Sequence, residues 1–167
     1  MEKIKRQVDR VLEWVLILLM AANVFNVLWQ VFTRFVLKDP SSYTEELARY
    51  LLIWVGLLGA GYAAGKKMHL AIDVVLSRLK GGARTFAGLS IQVLIFLFAF
   101  FAMVVGGVRL VTITLFLDQT SAALQIKLGY VYLALPLSGL LIMFYSFLFI
   151  MERFRMDPVP PGGPDAR

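Results

Sequence analysis

Four uncharged, strongly apolar runs separated by short charged connections constrain this chain more than any other feature of its sequence. Residues 14–33 form 20 uncharged positions between Glu13 and Arg34, and at about 1.5 Å of rise per residue such a helix reaches roughly 30 Å, the depth of a bilayer's hydrocarbon core. The run passes Ala21 and Ala22 without a small-x-small cleavage pattern, so it is expected to stay as an anchor. Residues 50–65 give only 16 uncharged positions, yet Ser42 followed by Glu45 fits a capping box that starts the helix near Tyr43 and brings it to spanning length. Residues 85–108 give 24 positions, and apolar character resumes after Arg109 through Leu117. A helix over that whole stretch, at roughly 50 Å, exceeds one bilayer. It must tilt, or bend at Gly106 and Gly107 and rest its end on the outer surface or on a partner. Residues 128–151 give 24 more, with Pro136 expected to kink the helix in its outer half.

Composition agrees. The chain is 59% hydrophobic with a mean hydropathy of +0.75, too apolar for a domain that must cover itself with polar surface. Its 167 residues are nearly consumed by four helices, which leaves no separate soluble catalytic domain. The net charge of +6 comes from basic residues flanking the apolar runs, where they set orientation and meet anionic headgroups, so nucleic acid is not an expected partner and membrane lipid is. Cysteine is absent, which excludes disulfides, thiolate metal sites and a thiol nucleophile.

Between the second and third runs, Lys66, His69, Asp73, Ser77, Lys80 and Arg84 recur at helical spacing opposite Met68, Ile72, Val75 and Leu79, the pattern of an amphipathic helix lying on the membrane over about 66–80. Lysine and arginine number twelve around the two termini and this connection, against five around the other two connections, which predicts both termini on the cytoplasmic side. The expected fold is therefore an all-α integral membrane protein of four transmembrane helices, about 11–36, 43–65, 84–117 and 127–152, plus one interfacial helix. Residues 1–157 make a single membrane domain, and the Pro/Gly-rich 158–167 form a disordered tail.

Polar groups inside these runs are few. Asn23, Asn26 and Gln30 stand at i, i+3 and i+7 and continue to Arg34, giving one face of the first helix a polar stripe suited to bundle packing or to another membrane subunit. Gly56, Ala60 and Ala64 place small residues every four positions on the second helix, which lets another backbone approach closely. Glu45, Glu46 and Arg49 lie at the outer rim, where Glu45 and Arg49 are spaced for a local ion pair. His69 and Asp73 at i,i+4 are too few for a metal site and suit a cytoplasmic interface. The helix centres carry no Asp, Glu, Lys, Arg or His, which argues against a chain that moves a solute alone, and against a drug/proton antiporter with a buried carboxylate. One histidine cannot supply paired haem ligands, and no base stands ready to activate Ser90, Ser138 or Ser146. No catalytic, metal, cofactor or substrate-binding residues are therefore assigned.

The stretch 42–49, Ser-Tyr-Thr-Glu-Glu-Leu-Ala-Arg, followed by Trp54, Gly56, Gly59, His69 and Asp73, resembles the small transmembrane (Q, DctQ-like) subunit of TRAP transporters, the tripartite ATP-independent periplasmic transporters. Residues 119–136, with Thr120, Ser121, Ala122, Leu124 and Tyr132 leading to Pro136, resemble it as well. Tyr43 stands where the family often has Trp, and 126–130 lacks the Trp common before the fourth helix. The resemblance implies a bacterial inner-membrane complex in which a periplasmic binding protein delivers an organic acid to a large multi-helix permease that moves it with sodium. The small subunit would then be a scaffold for the permease. The alternatives are a self-sufficient homo-oligomeric transporter or channel and an accessory subunit of a respiratory complex.

Overall fold

The computed structural model describes residues 2–39, 41–66 and 82–156. The expected amphipathic helix with His69 and Asp73, and the tail 158–167, lie outside the described residues. Helix α1 (Glu2–Phe32) runs into a π-helical turn, Thr33–Leu37. It starts well before residue 11 because Val8 and Leu12 supply a further apolar turn to the core and Asp9 and Glu13 find partners there. Lys38, in the left-handed region at φ 53°, closes it. Helix α2 is Ser42–Gly65. Helix α3 (Gly82–Phe98) continues through a π-helical segment, Ala99–Val105, into α4 (Gly106–Phe116). A compact loop leads to the short α5 (Leu128–Tyr132) and to α6 (Ala134–Met156).

Among the described residues four stretches are long and apolar enough to cross a membrane: Lys3–Leu37, Ser42–Gly65, Phe86–Phe116 and Leu128–Met151. The chain is a multi-pass helical membrane protein. The first span packs on the second, the second on the fourth and the fourth on the third. Burial follows that order: 6% of the most apolar window is buried in the first span and 44% in the fourth, so the fourth is the centre and the first an outer flank.

Close approach at the centre depends on glycine. A Cβ on Gly65 would lie 2.6 Å from the Tyr145 ring, and one on Gly139 would lie 2.8 Å from Met103 Cβ. Ala99, with no exposed surface, and Met103 belong to the π-helical segment, whose extra residue per turn resets the register of the third span against the fourth. The irregularity in the third span thus lies over Ala99–Val105 instead of at Gly106 and Gly107; Gly107 serves as the seat of Pro136, whose Cδ would be 2.9 Å from an added Cβ. The fourth span is interrupted at Leu133, between α5 and α6. Pro136 has no N–H for the Tyr132 carbonyl one turn back, and its ring crowds that turn. Two residues further on, buried Ser138 donates to the Leu57 carbonyl at 2.5 Å and ties the second span to the fourth.

Candidate functional site

Polar residues gather at the two ends of the bundle. At the end carrying the chain termini, Asp9 and Glu13 stand one turn apart on α1, opposite Tyr62 and Lys66, one turn apart at the end of α2. Tyr62 donates its hydroxyl to Glu13 Oε1 at 2.5 Å, and Tyr145 of α6 donates to Asp9 Oδ1 at 2.5 Å. Lys66 Nζ lies 3.5 Å from both carboxylates and 5.2 Å from the centre of the Tyr62 ring. Hydrogen bonding to Tyr62 raises the Lys66 ammonium above its usual 10.5, loss of solvent opposes this, and Asp9 adds to the rise. Tyr145 is fully buried and packs with Leu12 and Phe149, flanked by Val8, Leu141 and Phe144. Three spans therefore meet in one clasp, in which the buried carboxylate, Asp9, is held by the Tyr145 hydroxyl and by Lys66, as a buried charge requires.

The opposite end is fastened differently. Glu46, on the first turns of α2, receives hydrogen bonds from the Ser121 hydroxyl at 2.8 Å and from the backbone amides of Ala122, Ala123 and Leu124 at 3.1, 3.0 and 3.0 Å. Successive N–H groups turned toward one carboxylate form an anion nest. Its shape is set by an antiparallel bridge between Thr120 and Lys127, by Asp118 and Gln125 at φ 49° and 55°, and by a 2.9 Å ion pair between Lys127 and Asp118. That hydrogen bond to Asp118 raises Lys127 above the usual 10.5.

The start of α2 departs from the capping box. Ser41 is the cap, and its hydroxyl meets buried Thr44 Oγ1 at 2.9 Å. Thr44 donates its hydroxyl to the Ser41 carbonyl at 2.8 Å, no side chain caps a first-turn N–H among the described residues, and Glu45 stays exposed. Among the described residues Glu45 and Arg49 form no ion pair with each other; both point outward at the rim. Along the polar stripe of α1, Asn26 donates to the Thr44 carbonyl at 2.8 Å. Asn23 Oδ1 is buried without a hydrogen-bond partner among the described residues. Gln30 and Arg34 line, with Ser41 and Glu45, a small open cavity of about 260 Å³. Of the small-residue series on α2, Ala64 is buried, whereas Gly56 and Ala60 are exposed and an added Cβ on Gly56 would meet nothing within 4 Å.

Sequence reasoning missed both clasps. Matched i,i+4 pairs, Asp9 with Glu13 and Tyr62 with Lys66, signal the first, since two pairs at equal depth on neighbouring helices are placed to meet. The Glu46 nest has no such signal, because its donors are backbone amides that every non-proline residue carries.

With this geometry in place, comparison with known proteins is direct. Residues 16–156 match the family described as tripartite ATP-independent periplasmic transporters, DctQ component. The sialic acid TRAP transporter small permease protein SiaQ of Vibrio cholerae is 28% identical over 144 residues, covering 86% of this chain and 82% of that protein. The sialic acid TRAP transporter permease protein SiaT of Haemophilus influenzae is 27% identical over 139 residues, which is 83% of this chain and 22% of that longer protein. The isethionate TRAP transporter permease protein DctMQ of Oleidesulfovibrio alaskensis is 27% identical over 125 residues, 71% of this chain and 20% of its own length.

Proposed function

The chain belongs to the DctQ component family of tripartite ATP-independent periplasmic transporters, and from that premise we propose that it is the scaffold on which a large permease subunit imports an organic acid with sodium. The family is a transporter subunit and not an enzyme, and TRAP small subunits partner with a large permease. The observation that carries the reading is the alignment of 83% of this chain with about a fifth of SiaT, since a segment joined to a permease in one chain acts beside it when separate.

Scaffolding is also what the bundle suits. It is clasped at both ends, and little of its first span is buried within it. On the partner-facing side we place exposed Gly56 and Ala60 of α2; Asn26, bonded to the Thr44 carbonyl, Asn23, whose Oδ1 is buried, and buried Ala64 are taken up inside the bundle instead. Glycine in a helix interior costs about 1 kcal/mol relative to alanine, and a Cβ added at exposed Gly56 would meet no neighbouring element within 4 Å, a combination that suits close approach by another helix. In the inner membrane with both termini cytoplasmic, Glu45 and Arg49 would form a periplasmic rim where a substrate-binding protein docks, and Glu46 would steady the adjoining loop. Exposed charges of this kind chiefly govern encounter rate and specificity. The segment with His69 and Asp73 would brace the complex at the cytoplasmic headgroups.

The test is affinity purification of the chain, tagged at its C-terminus, in mild detergent, with mass spectrometry of what stays bound. A large multi-helix permease in equal amount is the expected result. Recovery of this chain alone as a defined oligomer would support a self-sufficient transporter, and recovery of redox enzymes a respiratory accessory; either would overturn the proposal.

A further inference from the structure

Where the first span ends and the second begins stand two opposite charges that do not pair with each other. Arg34 and Glu45 line the same small cavity with Gln30 and Ser41. Among the described residues no ion pair joins them; Arg34 has the Phe35 ring at 5.9 Å as its neighbour. Arg34 also ends the uncharged run of 20 residues, which fixes its depth at the edge of the hydrocarbon, where phospholipid headgroups lie.

We propose that this cavity binds the headgroup of a phospholipid that carries both a phosphate and a primary ammonium, of the phosphatidylethanolamine type. The guanidinium of Arg34 would donate two parallel hydrogen bonds to the phosphate oxygens, its preferred geometry. The Glu45 carboxylate would accept from the ammonium, and Gln30 and Ser41 offer further donors and acceptors between them. A simple anion is disfavoured by Glu45 and a simple cation by Arg34, so the pair selects a ligand with separated charges. The volume, about 260 Å³, falls below the roughly 300–1,000 Å³ usual for pockets that enclose an organic substrate and suits a headgroup whose chains stay outside.

The inference goes beyond the transporter reading and does not depend on it. The full chain, purified in mild detergent, is titrated with phosphatidylethanolamine, phosphatidylcholine and phosphatidylglycerol of identical acyl chains, and retained lipid is counted by native mass spectrometry. Phosphatidylethanolamine should be retained about tenfold better than either other lipid, the factor expected for one hydrogen bond to a charged group. Glu45→Gln should remove the preference over phosphatidylcholine, whose ammonium has no N–H, and Arg34→Gln should remove specific retention of all three. Both side chains are exposed, and unchanged melting of each variant verifies that the fold is intact. Equal retention of the three lipids by the native chain would overturn the proposal. So would an unchanged preference in both variants, including the case in which they lose a co-purifying protein instead, which would make the cavity a protein contact.

Discussion

The two ends of the bundle solve one problem with different materials. At the termini end, Asp9, Glu13, Tyr62, Lys66 and Tyr145 hold one another side chain to side chain. At the far end a single carboxylate, Glu46, is held by one hydroxyl and three backbone amides. The first clasp depends on the identity of every member and joins three spans directly. The second depends on one side chain and on the path of a loop, so it can tolerate substitution at Ala122 or Ala123 while remaining sensitive to loop length and to Glu46. A register set rigidly at one end and through a loop at the other leaves the far end the more adaptable, which suits the side proposed to meet a binding protein.

The largest effect should come from removing the centre of the first clasp. Tyr145→Ala leaves a cavity against Leu12 and Phe149 and strips Asp9 of its donor; a loss of about 3–5 kcal/mol is expected for a buried aromatic, read by unfolding in detergent. Tyr145→Phe keeps the ring and should cost about 1–3 kcal/mol for the polar partner left unsatisfied. If both substitutions proved neutral, the termini end would not be the rigid one. Gly65→Ala forces a methyl into the Tyr145 ring and should cost about 1–3 kcal/mol, as overpacking of a tight contact does, with no change at the far end.

Glu46→Gln tests the contrast itself. An amide in place of the carboxylate presents N–H groups to donors that have none to accept, so the amides of Ala122, Ala123 and Leu124 should exchange hydrogen faster while those around Tyr62 and Tyr145 stay unchanged. Uniform acceleration across the bundle would mean that the two ends are one cooperative unit. The smallest effect belongs to Lys127 and Asp118, an exposed pair. Because the folded value of Lys127 lies above its unfolded value of 10.5, its contribution is complete below 10.5 and is lost as pH rises through the folded value. A slight drop in far-end protection confined to strongly alkaline pH is expected, and Lys127→Ala should abolish that dependence.

The spans themselves were legible because hydrocarbon imposes a length and a near-absence of charge that a sequence displays openly. Family membership was legible too, from 42–49 and 119–136 together. What stayed hidden was set by partners distant in sequence. The helix of the second span starts at Ser42 with Ser41 before it and a Ser41–Thr44 hydroxyl contact in place of the Ser42 and Glu45 box, a choice that spacing does not rank. The π-helical segment in the third span answers to Gly139 on another helix, and nothing in residues 99–105 themselves announces it. Glu46 reads as a rim charge until the loop of 121–124 is folded around it.

The central claim is that this chain serves a transporter by supporting its permease and moves no solute itself. The direct measurement is sodium-driven uptake of an organic acid into liposomes containing the cognate large subunit, with its binding protein supplied outside, in the presence and absence of this chain. Uptake that requires this chain, together with liposomes of this chain alone that take up nothing, is the predicted result. Full uptake by the large subunit without it, or uptake by this chain alone, would contradict the account.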